Sequence, residues 1–145
     1  MQELPHLYRV EARADAEGAV SLDASGLPTI RSAGPPEFGG PGDLWSPETL
    51  LVGAVVDCFV LTFRAVARGS KLEWTSLRCA GEGTLDRVDR QTRFTRIGLR
   101  AELTLPPGAD AERAERLLQK AEHGCLISNS LSCPVELSTQ IEVGG

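Results

Sequence analysis

Aromatic residues are scarce in this chain: four Phe, two Trp and one Tyr among 145 residues, beside a single Met. A core must therefore lean on Leu, Val and Ala, in a length that suits one domain or one protomer of a tight oligomer. Histidine is nearly missing, with only His6 and His123. The four cysteines, at 58, 79, 125 and 133, contain no Cys-x-x-Cys pair and match no histidine spacing, so no metal site is expected. There is no Gly-x-Gly-x-x-Gly, no phosphate loop and no Gly-x-Ser-x-Gly elbow, which leaves a nucleotide enzyme or a serine hydrolase without support. Basic residues are outnumbered, and the net charge of -5 argues against non-specific binding to nucleic acid or an anionic membrane. Met1 to Tyr8 lacks the apolar core of a signal peptide. The expected compartment is the cytoplasm, where cysteines are kept as thiols rather than as a disulfide framework.

What is present is one long apolar stretch. Ser46 is a helix N-cap type, Pro47 fits the first helical position, and Glu48 falls in the first turn. From Leu50 to Phe63 almost every residue is apolar, and the helical pattern runs to Arg68, with Gly69 as a stop. About 22 residues at roughly 1.5 Å each give a rod of about 33 Å. Asp57 and Arg64 interrupt the apolar run, which falls short of the roughly 20 residues of a membrane span. A helix apolar on nearly all sides must be surrounded by protein.

Around that helix the chain alternates as strands do. Residues 6–13, 19–23 and 27–33 read as three short strands with turns at 15–18 and 25–26. Four glycines and three prolines within residues 34–43 mark an irregular loop anchored by Phe38 and Trp45: either a site wall or a simple crossover. Residues 74–88 and 93–105 read as two long strands around a polar turn at 86–91, with Gly81 and Gly83 suggesting a bulge or bend. Residues 109–123 form an amphipathic helix, 126–131 a short helical piece broken by Pro134, and 135–143 the last strand. No repeat or linker divides the chain. The expectation is a single α+β domain over 1–145, with strands and loop at 1–45, the central helix at 46–69, and strands, second helix and last strand at 70–145. Its sheets should be mostly antiparallel. A sheet covers one face of the long helix, so a second copy over the other predicts an intimate homodimer.

Chemistry rests on few residues. Cys58, near the middle of the long helix, is either reactive or a small buried hydrophobe. Cys125 follows Gly124 at a break where a short helix begins, a place that favours a thiolate; its alternative is a capping or surface residue. Cys79 and Cys133 read as structural. Glu48 lies ten residues before Cys58, about 15 Å along one helix, so only a partner chain can bring it to that thiol; otherwise it is a first-turn carboxylate.

These motifs resemble the osmotically inducible protein C and organic hydroperoxide resistance (OsmC/Ohr) family. The resemblance rests on Ser46-Pro47-Glu48 leading to Cys58-Phe59, on Ala121-Glu122-His123-Gly124-Cys125, and on the loop Gly34-Pro35-Pro36-Glu37-Phe38-Gly39-Gly40. It implies an intertwined dimer with the long helices in the middle and a site at the subunit interface. It also implies a thiol peroxidase that needs no cofactor. Cys58 would attack the O–O bond of an organic hydroperoxide, Cys125 would condense with the resulting sulfenic acid, and a dithiol or lipoylated protein would reduce the disulfide. Glu48 matches the family's glutamate. The family's arginine has no match at Gly18-Ala19-Val20, and Arg31 is the best fit. Leu126 stands where the family often has proline, and Asp57 places a carboxylate beside the thiol. The apolar wall from Leu50 to Phe63, which includes Phe59, together with Phe38 and Trp45, suits alkyl or fatty-acid hydroperoxides. Two other readings stand beside the enzyme. One is a non-catalytic redox-sensing or apolar-ligand-binding dimer, to be told apart by where Arg31 points. The other is a structural dimer whose inert Cys58 and Cys125 lie far apart.

Overall fold

The computed structural model describes residues 2–144. Contacts divide it into two compact units, a first up to Leu50 and a second from Leu51 onward, with the boundary inside the long helix.

The first unit holds a three-stranded antiparallel sheet, β1 (Glu11–Arg13), β2 (Val20–Asp23) and β3 (Ile30–Ser32). β1 is shorter than the alternation at 6–13 suggests. Leu7, Tyr8 and Val10 are exposed and no partner strand lies beside them among the described residues, so pattern alone does not close a ladder. The register sorts the side chains onto two faces. Ala12, Val20, Leu22 and Ser32 share one; Arg13, Ser21, Asp23 and Arg31 share the other, where Arg13 and Asp23 pair at 3.0 Å. In the loop that follows, Pro36–Phe38 form one 3-10 turn. Gly40 must be glycine, because a Cβ there would run into the Gly34 carbonyl, while its N–H bonds the Pro35 carbonyl at 3.0 Å.

α1 (Pro47–Gly69) starts as its sequence dictates. Thr49 N–H donates to Ser46 Oγ at 3.1 Å, and Ser46 N–H donates to Thr49 Oγ1 at 2.9 Å. This is a reciprocal capping box with threonine in the glutamate's place. The helix has 23 residues and a window of mean hydropathy 2.0, so by length and composition it is long and apolar enough to cross a membrane, which corrects the reading from run length. Its Val55, Phe59, Phe63 and Ala67, one residue every turn, are instead buried in the protein core.

The second unit packs that stripe against a sheet of β4 (Ser76–Val88), β5 (Gln91–Leu105) and β6 (Val135–Val143). β4 and β5 are antiparallel and joined at Asp89-Arg90, both with positive φ, as a two-residue hairpin turn needs. β5 and β6 are parallel, so the chain crosses between them through α2 (Ala111–His123) and α3 (Leu126–Asn129). On β5, Ile97, Leu99, Ala101, Leu103 and Leu105 all face the core, against Leu117, Leu118 and Ala121 of α2. The opposite face is polar, with Arg96 paired to Glu136 at 2.9 Å. The bulge lies at Thr84/Leu85 rather than at the glycines. Gly81 and Gly83 do something else: a Cβ at 81 would stand 2.5 Å from Val56 Cγ2, and one at 83 would stand 2.7 Å from Val52 Cγ2. They let α1 lie close on β4.

Candidate functional site

Two thiols meet where α1 passes the junction of α2 and α3. A Cβ on Gly124 would stand 3.7 Å from Thr62 Cγ2, one turn beyond Cys58 on α1. The junction is tightly held. Cys125 N–H donates to the Glu122 carbonyl at 3.3 Å, Asn129 N–H to the Cys125 carbonyl at 3.0 Å, and Asn129 Nδ2 to the His123 carbonyl at 3.1 Å. Gly124 caps α2 with φ -90, so it is not the left-handed stop that its position suggests. Cys125 is the N-cap of α3 and is fully enclosed, whereas Cys58 is half-buried; both are free thiols.

Their environments push them apart. Burial raises the Cys58 thiol, but four donors outweigh it and the net shift is downward. These are the Ile127 N–H, the Cys125 thiol, the Thr62 hydroxyl at 3.8 Å, and the Leu126 N–H. The first two amides of α3 have no partner within so short a helix, and they favour the charged form of the Cys58 sulfur. Cys125 is raised, first by burial, then by the neighbouring Cys58, against the opposing pull of the Ser128 hydroxyl and N–H. Neither Ser128 group closes a full hydrogen bond on the neutral thiol, and both pull the Cys125 pKa downward. A depressed thiol with a second thiol as its neighbour can attack an electrophile and then be resolved as a disulfide. The two thiols act on each other's titration, which speaks against the reading with inert, distant cysteines.

Cys79 is half-buried and packed against the core, with the Ala80 carbonyl as its hydrogen-bond acceptor, and burial pushes its pKa up to about 11. Cys133 is buried in the core. Asp57 is exposed and is not among the groups that act on Cys58.

The remaining candidates are placed as follows. In the first unit a cavity of about 540 Å3 is lined by Val20, Leu22, Ser32, Phe38, Glu48 and Leu50, among others. One oxygen of Glu48, Oε2, is buried without a hydrogen-bond partner among the described residues. Arg31 is exposed and lies on the other face of that sheet, with Ser21 and Asp23, so it does not line the cavity that holds Glu48. Trp45 is 56% exposed and bridges Ser32 instead of lining the cavity. Phe59, expected on a substrate wall, is fully buried in the core stripe of α1, because its position in the helical repeat turns it inward with Val55 and Phe63. The sequence pattern does not single out Thr62, Ile127 or Ser128, and it marks Leu126 only as a departure from the family's proline. The signal was their spacing: Thr62 is one helical turn after Cys58, and Ser128 is three residues after Cys125.

Comparison with known proteins identifies the family and the fold. The family model of OsmC-like proteins matches residues 40–140. The chain is 31% identical over 116 residues to the uncharacterized protein YmaD of Bacillus subtilis, covering 77% of each. It is 30% identical over 97 residues to the peroxiredoxin OsmC of Escherichia coli, covering 67% of each. Among solved structures it resembles an OsmC-like protein of unknown function from Vibrio cholerae, with TM-score 0.85 at 18% identity over 93% of this chain and 99% of that one. It also resembles an organic hydroperoxide resistance protein from Legionella pneumophila, with TM-score 0.75 at 25% identity over 97% and 99% of the two chains. An α+β chain with this match over residues 40–140 and these relatives belongs to the OsmC family.

Proposed function

We propose that the protein is a thiol-dependent peroxidase that reduces organic hydroperoxides to alcohols. The observation that carries this reading is the Cys58 thiol: lowered in spite of burial, with the Cys125 thiol as one of its donors. The Cys58 thiolate attacks the terminal, hydrogen-bearing oxygen of R–O–O–H. The S–O bond forms as the O–O bond breaks, and the alkoxide takes up a proton to leave as the alcohol. Cys125 then attacks the Cys58 sulfenic acid, releasing water and leaving a Cys58–Cys125 disulfide. An external dithiol, such as a lipoylated protein, returns both to thiols. The peroxiredoxin OsmC and the hydroperoxide resistance protein among its relatives support this chemistry.

The working unit in this reading is a homodimer. Only 22% of the apolar window of α1 is buried inside this chain, and Leu61 is half exposed, so a second copy has apolar surface to cover. In such a dimer Glu48 reaches the thiol from a second copy. The apolar cavity beside Glu48 and Phe38 suits an alkyl chain better than hydrogen peroxide.

A second reading, a redox sensor with slow turnover, is favoured by one observation: Arg31 is exposed and no cation is among the groups that act on Cys58. The deciding experiment is turnover of cumene and fatty-acid hydroperoxides with dithiothreitol, beside Cys58→Ser and Cys125→Ser. Fast turnover lost in Cys58→Ser, with a 58–125 disulfide found by peptide mass, is the expected result. A fully reduced protein that forms the disulfide but turns over slowly would select the sensor.

A further inference from the structure

Ser128 has a buried hydroxyl with nothing to bond. Its Oγ has no hydrogen-bond partner among the described residues, a state that leaves its lost hydration uncompensated. Its neighbour Ser130, by contrast, donates to the Leu126 carbonyl at 2.8 Å. Ser128 lies three residues after Cys125, in the turn that Asn129 N–H closes on the Cys125 carbonyl at 3.0 Å, so the two side chains share one face. Cys125 itself is fully enclosed, shut off from bulk solvent.

We propose that the Ser128 hydroxyl is the donor that holds the Cys125 sulfur as a nucleophile while the disulfide forms. The inference rests on the peroxidase reading and concerns its second half. In that step the Cys125 thiol gives up its proton and its thiolate attacks the sulfur of Cys58–S–OH. The S–S bond forms, the S–O bond breaks, and the departing hydroxide with that proton makes water. The arrangement also orders the two steps. A Cys58 thiolate disfavours a charged Cys125 and keeps the proton there. Once Cys58 is a neutral sulfenic acid that opposition is gone, and the Ser128 groups face burial alone. Cys58 is the titratable group acting on Cys125; Glu122 and His123, at the end of α2, are close in sequence and do not act on it.

The test is a single turnover of the reduced protein with cumene hydroperoxide and no reductant, in the unchanged chain, Ser128→Ala and Ser128→Thr. Sulfenic acid is read by dimedone trapping at Cys58, and the disulfide by peptide mass after acid quench. In Ser128→Ala the first phase should stay within about twofold, while the second slows by roughly three- to tenfold and its rise with pH moves to higher pH. Ser128→Thr, which keeps the hydroxyl, should restore both. An unchanged second phase in Ser128→Ala, or an equal loss in Ser128→Thr, overturns the inference. If even the unchanged chain forms no sulfenic acid, the peroxidase reading fails separately. The donor role is then decided by thiolate absorbance of Cys125 in Cys58→Ser, which Ser128→Ala must move to higher pH.

Discussion

Cys58 on α1 and Cys79 on β4 are both half-buried thiols in the second unit, and burial pushes both upward. Cys79 stays there, at about 11, with an acceptor carbonyl as its neighbour. Cys58 ends below its ordinary value because four donors surround it. Two half-buried thiols with opposite outcomes teach that hydrogen-bond donors, set against burial, select the reactive thiol here. Among the described residues no donor acts on the Cys79 sulfur of β4, whose hydrogen-bond partner is an acceptor. The first turn of α3 can supply donors to Cys58, since its N–H groups have no partner in the helix.

The comparison can be broken first by alkylation. In reduced protein at pH 7, iodoacetamide should modify Cys58 at least roughly a hundredfold faster than Cys79. The sign follows from the shifts: Cys58 keeps its thiolate as pH falls below the ordinary thiol value, whereas Cys79 gains one only as pH rises toward about 11. Peptide mass against time at several pH values reads both. Equal rates would make exposure the controlling factor.

A second test removes the contact that holds α1 to the sheet. Gly81→Val puts a branched side chain where Val56 Cγ2 already stands 2.5 Å from a Cβ position. It should cost about 1–3 kcal/mol and lower Tm by several degrees. Thermal unfolding checks it, and an unchanged Tm would mean that the helix gives way freely.

Leu126→Pro gives a smaller and sharper result. Proline has no N–H, so one of the four donors vanishes. The site tolerates the ring: Leu126 is the first residue of α3, it is 74% exposed, and Cys125 before it already has the extended backbone that precedes proline, with φ -69 and ψ 113. Stability should hold within about 0.5 kcal/mol. Cys58 alkylation at pH 6–7 should slow a few-fold, because loss of a donor to the anion raises the thiol pKa. Leu126 thus adds a donor that the proline often found there would lack. Thr62→Val, which removes the donor at 3.8 Å, should slow the same reaction by a similar few-fold, since the Thr62 hydroxyl acts on the thiol at least as strongly as the Leu126 amide. A clearly smaller loss there than in Leu126→Pro would reverse the order of importance of amide and hydroxyl.

Local pattern carried much of the fold. The N-cap Ser46, Pro47 and Gly69 mark α1 because capping and backbone conformation are local matters, and the alternation at 135–143 gives β6 to the residue. The same logic overran at residues 6–10, where alternation without a partner strand forms no ladder. The candidate thiols were legible too, Cys58 from its helix and Cys125 from the break at Gly124. What pattern misjudged were contacts: Phe59 turned into the core, Arg31 on the face opposite the Glu48 cavity, and Gly81 and Gly83 serving close approach while the bulge sits at Thr84/Leu85.

By itself the sequence determined where the helices and strands run and which cysteines stand at helix positions suited to chemistry, because caps, breakers and side-chain periodicity act within a few residues. Only the tertiary structure decided which of those thiols is activated. Cys58 and Cys125 are 67 residues apart in the chain, and the amides that lower one sulfur belong to the helix that begins beside the other. A thiolate is stabilised by whatever donors surround it in space, and no local rule can read that.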